Sequence, residues 1–127
     1  SKQINIEANA ALDMVKSLYI PAIIHYTKEL AEGIETLEAV NASADVQRDL
    51  LSRISTHLES AYRNTQKLES DREKANNTPD SLKSAEAFRD KVHITMTDLR
   101  EDIDMLETLI PRKLWPVPTY ADLLFKL

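Results

Sequence analysis

Apolar residues recur at three- and four-residue steps through most of this chain, the spacing that places one face of an α-helix against a core. Ala8, Leu12, Val15, Tyr19, Ala22, Tyr26, Leu30, Ile34 and Leu37 make one stripe, which predicts a first helix from about Asn5 to Val40. Pro21 falls inside it. A proline ring there collides with the carbonyl of Ser17, so a kink costing about 3 kcal/mol is expected. The alternative is a break after which Pro21 opens a new helix at its first position.

Asn41 to Asp45 reads as the first turn, with Ser43 as N-cap and Asp45 near the positive end of the next helix dipole. The second helix carries Leu51, Ile54, Leu58, Ala61, Thr65 and Leu68 inward, with Asp49/Arg53 and Glu59/Arg63 as i,i+4 pairs outside. Beyond Leu68 the stretch Glu69 to Lys74 is almost wholly charged and is expected to project into solvent. Asn76, Asn77, Thr78 and Pro79 form the second turn, with Thr78 as N-cap and Pro79 at the first helical position. The third helix has the most regular repeat, Leu82, Ala85, Val92, Met96, Leu99, Ile103, Leu106 and Ile110, interrupted by Arg89 and ended by Pro111. Two short turns make neighbours antiparallel. The expected fold is therefore all-α: an elongated antiparallel three-helix bundle over residues 1–110, helix one kinked or broken at Pro21.

Residues 111–127 follow a different pattern. They hold the single Trp and three of the five prolines, Pro111, Pro116 and Pro118. Each proline fixes φ and removes a donor, so Trp115 to Pro118 is an extended or turning strap. Thr119 with Asp122 resembles a capping box, which would start a short terminal helix bearing Leu123, Leu124 and Phe125. Trp115, Pro116, Pro118, Tyr120, Leu123, Leu124 and Phe125 are thus candidate docking residues. They either fold back to cap one end of their own bundle or bind another subunit or domain, where Trp and Tyr dominate interface energetics.

Composition narrows the function classes. A net charge of -5 argues against a nucleic-acid groove, which needs clustered Lys and Arg. The apolar run Leu18 to Ile24 is too short for a membrane span and Pro21 interrupts it, so neither a membrane partner nor a secretory leader is expected. With no Cys there is no disulfide framework or thiolate chemistry, which fits a cytoplasmic protein.

Candidate chemistry is sparse. A di-metal site in a helical bundle takes two Glu-x-x-His motifs, whose i,i+3 spacing turns both ligands inward. Only Asp90 with His93 comes near; Ala22 precedes His25 and Ile54 precedes His57 at that spacing. No metal or cofactor site is therefore expected, and the three histidines read as boundary residues with a wet polar edge. Asp98, Glu101, Asp102, Asp104 and Glu107 lie between the heptad positions of helix three and read as a solvated acidic face. Without a glycine-rich turn, nothing exposes a Ser or Thr nucleophile beside an oxyanion hole. No catalytic residue is expected.

One resemblance adds to these readings. Leu106-Glu107-Thr108-Leu109-Ile110-Pro111, Leu114-Trp115-Pro116, Pro118-Thr119-Tyr120 and Leu123-Leu124-Phe125 resemble the carboxyl terminus of type III glutamine synthetases. Glu7-Ala8-Asn9, Leu12-Asp13-Met14 and Ile20-Pro21-Ala22 resemble the segment where those enzymes pass from the catalytic domain into a helical C-terminal region. Ala121 stands where that family usually has Gly, and Lys126-Leu127 runs past its usual end. The resemblance implies that the parent enzyme, a dodecamer in the family, ligates ammonia to glutamate with ATP and a divalent metal, Mg or Mn, in a barrel domain absent from this chain. This fragment would then be non-catalytic, touching its own catalytic domain and neighbouring subunits of a homo-oligomer. The residues alone imply a stand-alone spectrin-like scaffold, and the aromatic tail discriminates, since a free scaffold has no evident use for it.

Overall fold

A computed structural model describes residues 2–76 and 82–116 of the chain. Its helices are α1 (Lys2–Met14), α2 (Ile20–Ala39), α3 (Asp45–Asn76) and α4 (Leu82–Leu109), with a π-helical turn at Val15–Tyr19 and a 3-10 turn at Arg112–Leu114. Among the described residues there is no strand, and no helix is long and apolar enough to cross a membrane. The second expected turn, Asn77 to Pro79, lies outside the described residues.

α1, the π turn and α2 join into one rod, so the expected interruption at Pro21 takes a specific form. Tyr19 and Ile20 keep helical dihedrals, and the Ile20 N–H donates to the carbonyl of Val15, five residues back. The wider turn sits immediately ahead of the proline, where a regular helix would drive its ring into the preceding backbone. The extra residue also shifts the inward stripe. Ile23 becomes fully buried while Ala22 and Tyr26 are only half-buried, which corrects the stripe read from spacing alone.

The rod ends as its sequence implies. Asn41 adopts a left-handed φ of 61°, while the Ala42 N–H reaches Leu37 O at 2.9 Å and the Asn41 N–H reaches Glu38 O at 3.1 Å. These two bonds satisfy carbonyls that the helix end would otherwise leave unpaired. Ser43 Oγ accepts from the Asp45 N–H at 3.4 Å, and Arg48 closes the turn by donating from Nε to Glu38 at 2.8 Å.

Three layers of apolar side chains stack along the bundle, each drawing on the rod, α3 and α4. Ala8, Leu12, Leu68 and Val92 form the first, Val15, Ala61 and Leu99 the middle, and Ile23, Ile54, Leu106, Ile110 and Trp115 the last. Late α3 thus meets early α1 and early α4, and early α3 meets α2 and late α4. That is the antiparallel arrangement expected from the short turns. α3 and α4 form the most extensive pairing.

The charged end of α3 keeps Glu73 and Lys74 exposed, as expected, while other members of the run are tied to the rod. Glu69 pairs with Lys16 at 3.0 Å, Arg72 donates to the Asn9 side-chain oxygen, and Leu68 is fully buried. Local charge suggested a solvated tip. The rod lies alongside and supplies partners for that charge.

Candidate functional site

Two features of the bundle carry chemistry beyond apolar packing: a carboxylate buried between α3 and α4, and the return of the chain after Pro111.

Asp102 lies three residues after Leu99 and four before Leu106, so helical geometry turns it toward the same partner as those two core residues. Its residue exposure is 8%. Across the seam α3 presents His57, Ser60 and Asn64, spaced so that all three line one side of the Ile54–Ala61–Leu68 stripe. Ser60 Oγ donates to Asp102 Oδ2 at 2.6 Å, Asn64 Nδ2 to the same oxygen at 3.2 Å, and His57 Nδ1 to Oδ1 at 3.2 Å. A carboxylate can only accept, so Nδ1 is the protonated nitrogen of His57 in this contact.

The expectation that Asp98, Glu101, Asp102, Asp104 and Glu107 form one solvated face is therefore corrected at Asp102. Asp98, Glu101 and Asp104 are exposed and Glu107 is half-buried, whereas Asp102 ties α4 to α3. His57 is likewise more than a boundary residue. His25 does match that description: largely solvent-exposed, it pairs with Glu29 at 3.3 Å. Although Ser, His and Asp come together, Ser60 and His57 both bond to the carboxylate, on different oxygens. A hydrolytic triad instead places the histidine between the other two. The cluster works as a buried polar clamp. Among the described residues, no three His, Cys, Asp or Glu side chains converge as metal ligands.

The seam held a signal for this site. Val92, Thr95, Leu99, Asp102 and Leu106 alternate at steps of three and four, while Met96 and Ile103 of the apolar series lie half-buried on the flank. Thr95 is fully buried in that seam, and its hydroxyl meets no hydrogen-bond partner. Arg89, the residue expected to break the seam, is exposed.

After α4 the Ile110 N–H still bonds to Leu106 O, then Pro111 turns extended at φ -54° and ψ 133°. One 3-10 turn brings Leu114 and Trp115 back onto the bundle. Trp115 is 7% exposed and packs with Ile23, Ile54, Leu106 and Ile110, its ring centroid 4.9 Å from that of Tyr19 at an interplanar angle of 40°. Such tilted pairs are favoured by ring quadrupoles. Burial, then the charges of Glu107 and Asp104, push the Tyr19 phenol above its ordinary pKa of 10.0. Of the candidate docking residues, Trp115 is thus held by its own bundle and Pro116 is exposed. Pro118, Tyr120, Leu123, Leu124 and Phe125 lie outside the described residues.

Comparison with known proteins concerns the whole chain. Residues 1–38 match the family described as glutamine synthetase C-terminal domain. A type-3 glutamine synthetase of Dictyostelium discoideum is 29% identical over 98% of the chain, and a glutamine synthetase of Butyrivibrio fibrisolvens is 26% identical over 100% of it. A glutamine synthetase of Bacteroides fragilis is 22% identical over 97%. The chain spans 18% of the length of each of these relatives. No solved structure matches it significantly. The π turn with Pro21 falls inside the family match, and the relatives extend the similarity through the Asp102 clamp and the returning Trp115. Taken together, these similarities liken the chain to the C-terminal part of glutamine synthetases, one of them a type-3 enzyme.

Proposed function

We propose that this chain is a non-catalytic structural domain of a larger enzyme that ligates ammonia to glutamate with ATP. ATP and a divalent metal, Mg or Mn, act in a separate catalytic domain of that enzyme, and the bundle contacts that domain and neighbouring subunits of a cytoplasmic homo-oligomer. The observation that carries this reading is the similarity to glutamine synthetases along nearly the whole chain. The local chemistry agrees with it. The three donors grouped around Asp102 are aimed at one carboxylate and hold two helices together, a use of polar groups that rigidifies a scaffold.

The test compares the gene product carrying this chain with a version lacking residues 1–127 and with the chain alone. Glutamine formation from glutamate, ammonia and ATP with Mg is expected in the complete product and not in the isolated chain. Mass in solution is expected to fall when the bundle is removed. Glutamine formation by the isolated chain would overturn the non-catalytic role. An unchanged assembly and rate without the bundle would overturn the structural one and favour a free-standing scaffold.

A further inference from the structure

α2 and α3 continue toward their turn beyond the layer where α4 ends, and among the described residues no third helix runs along that part of the hairpin. A groove runs there, lined by Tyr26, Leu30, Gly33 and Leu37, with Glu29, Thr36 and Gln47 among its polar residues. Tyr26 and Leu30 line the groove and also pack against the core layer to which Trp115 belongs, so the groove adjoins that layer.

Gly33 adds an independent observation. It is the single glycine of the chain and stands in the interior of α2, where glycine costs about 1 kcal/mol relative to alanine. No described neighbour demands it, because a Cβ built there would meet nothing within 4 Å. A glycine opening onto an apolar groove suits the close approach of another chain segment.

We infer that the groove of Tyr26, Leu30, Gly33 and Leu37 binds the chain's own carboxyl-terminal segment, residues 117–127, through Leu123, Leu124 and Phe125. Length and attachment favour this occupant over a second copy. From Tyr26 to Leu37 the groove follows α2 for about 16 Å, which an eleven-residue segment spans as a helix and exceeds when extended. The segment follows directly on buried Trp115, a member of the core layer against which Tyr26 and Leu30 pack, so docking in cis costs far less entropy than recruiting a separate molecule. Its three consecutive apolar residues match the apolar lining.

The chain has no Cys, so Thr36→Cys on the exposed rim of the groove provides a unique site for a nitroxide label. In dilute full-length protein the methyl signals of Leu123 and Leu124 and the ring signals of Phe125 are expected to lose most of their intensity. Adding Gly33→Trp, which fills the groove from a position with free space, is expected to restore them. A Leu123→Ser/Leu124→Ser variant, leaving the bundle untouched, is expected to restore the signal of Phe125. Full intensity in the labelled parent would overturn the inference. So would broadening that Gly33→Trp leaves intact in a helical protein. Broadening carried between separately labelled chains in a mixture would assign the groove to a second copy and overturn docking in cis.

Discussion

Removing the carboxylate of Asp102 is the most direct way to test what holds α3 to α4. In Asp102→Ala, Ser60, Asn64 and His57 all lose their shared acceptor. A hydrogen bond to a charged group contributes about 1.5–3 kcal/mol. The three do not add in full, because the His57 side chain is 31% exposed and Ser60 and Asn64 are half-buried, so each regains some water. A loss of about 2–4 kcal/mol is expected. For a chain of this length that corresponds to a drop in melting temperature of about 6–20 °C, read by far-ultraviolet circular dichroism. Asp98→Ala, on the exposed face of the same helix, should change stability by no more than about 0.5 kcal/mol. A double-mutant cycle of Asp102→Ala with Ser60→Ala isolates the shortest bond and is expected to show coupling of about 1–2 kcal/mol. If Asp102→Ala melts with Asp98→Ala, or the cycle shows no coupling, the carboxylate is a solvated surface group and the clamp does not exist.

Trp115→Ala removes a ring from the last core layer and is expected to cost about 3–5 kcal/mol in urea denaturation. Trp115 is also the single tryptophan, so its native emission should be blue-shifted and should move red together with the loss of helix; red emission under native conditions would place the ring in solvent. Thr95→Val replaces a buried hydroxyl without a partner by a methyl and should stabilise the protein by about 1 kcal/mol, a gain that vanishes if the hydroxyl is in fact bonded. The raised pKa of Tyr19 means the unfolded chain loses its phenol proton first. Its contribution to stability is therefore full below about pH 10 and lost as pH climbs through the higher folded-state value. Tyr19→Phe should flatten that alkaline decline, and an unaltered decline would show that Tyr19 is not its source.

The resemblance at both ends of the chain pointed to glutamine synthetases, to which the chain is similar along nearly its whole length, and the helical content followed from residue spacing. Elements whose stability depends on one-dimensional periodicity were legible. Ile54, Ala61, Leu68, Val92, Leu99 and Leu106 face inward because three- and four-residue steps on any helix put them on one side. Asn41 to Asp45 was legible as a turn because Asn tolerates a left-handed backbone and Ser accepts from a helix N-terminus. What the tertiary structure decided concerns groups whose partners are remote in sequence. Asp102 is surrounded on its own helix by acidic residues, and only the approach of His57, Ser60 and Asn64, 38 to 45 positions away, makes its burial tolerable. Glu69 and Arg72 belong to a charged run whose fate depended on Lys16 and Asn9 lying alongside. At Pro21 the spacing announced a disturbance, but whether a helix kinks, breaks or widens depends on which option lets the next turns reach the core. The π turn that delivers Ile23 to Ile54 and Leu106 could be chosen only once all three rods were in place.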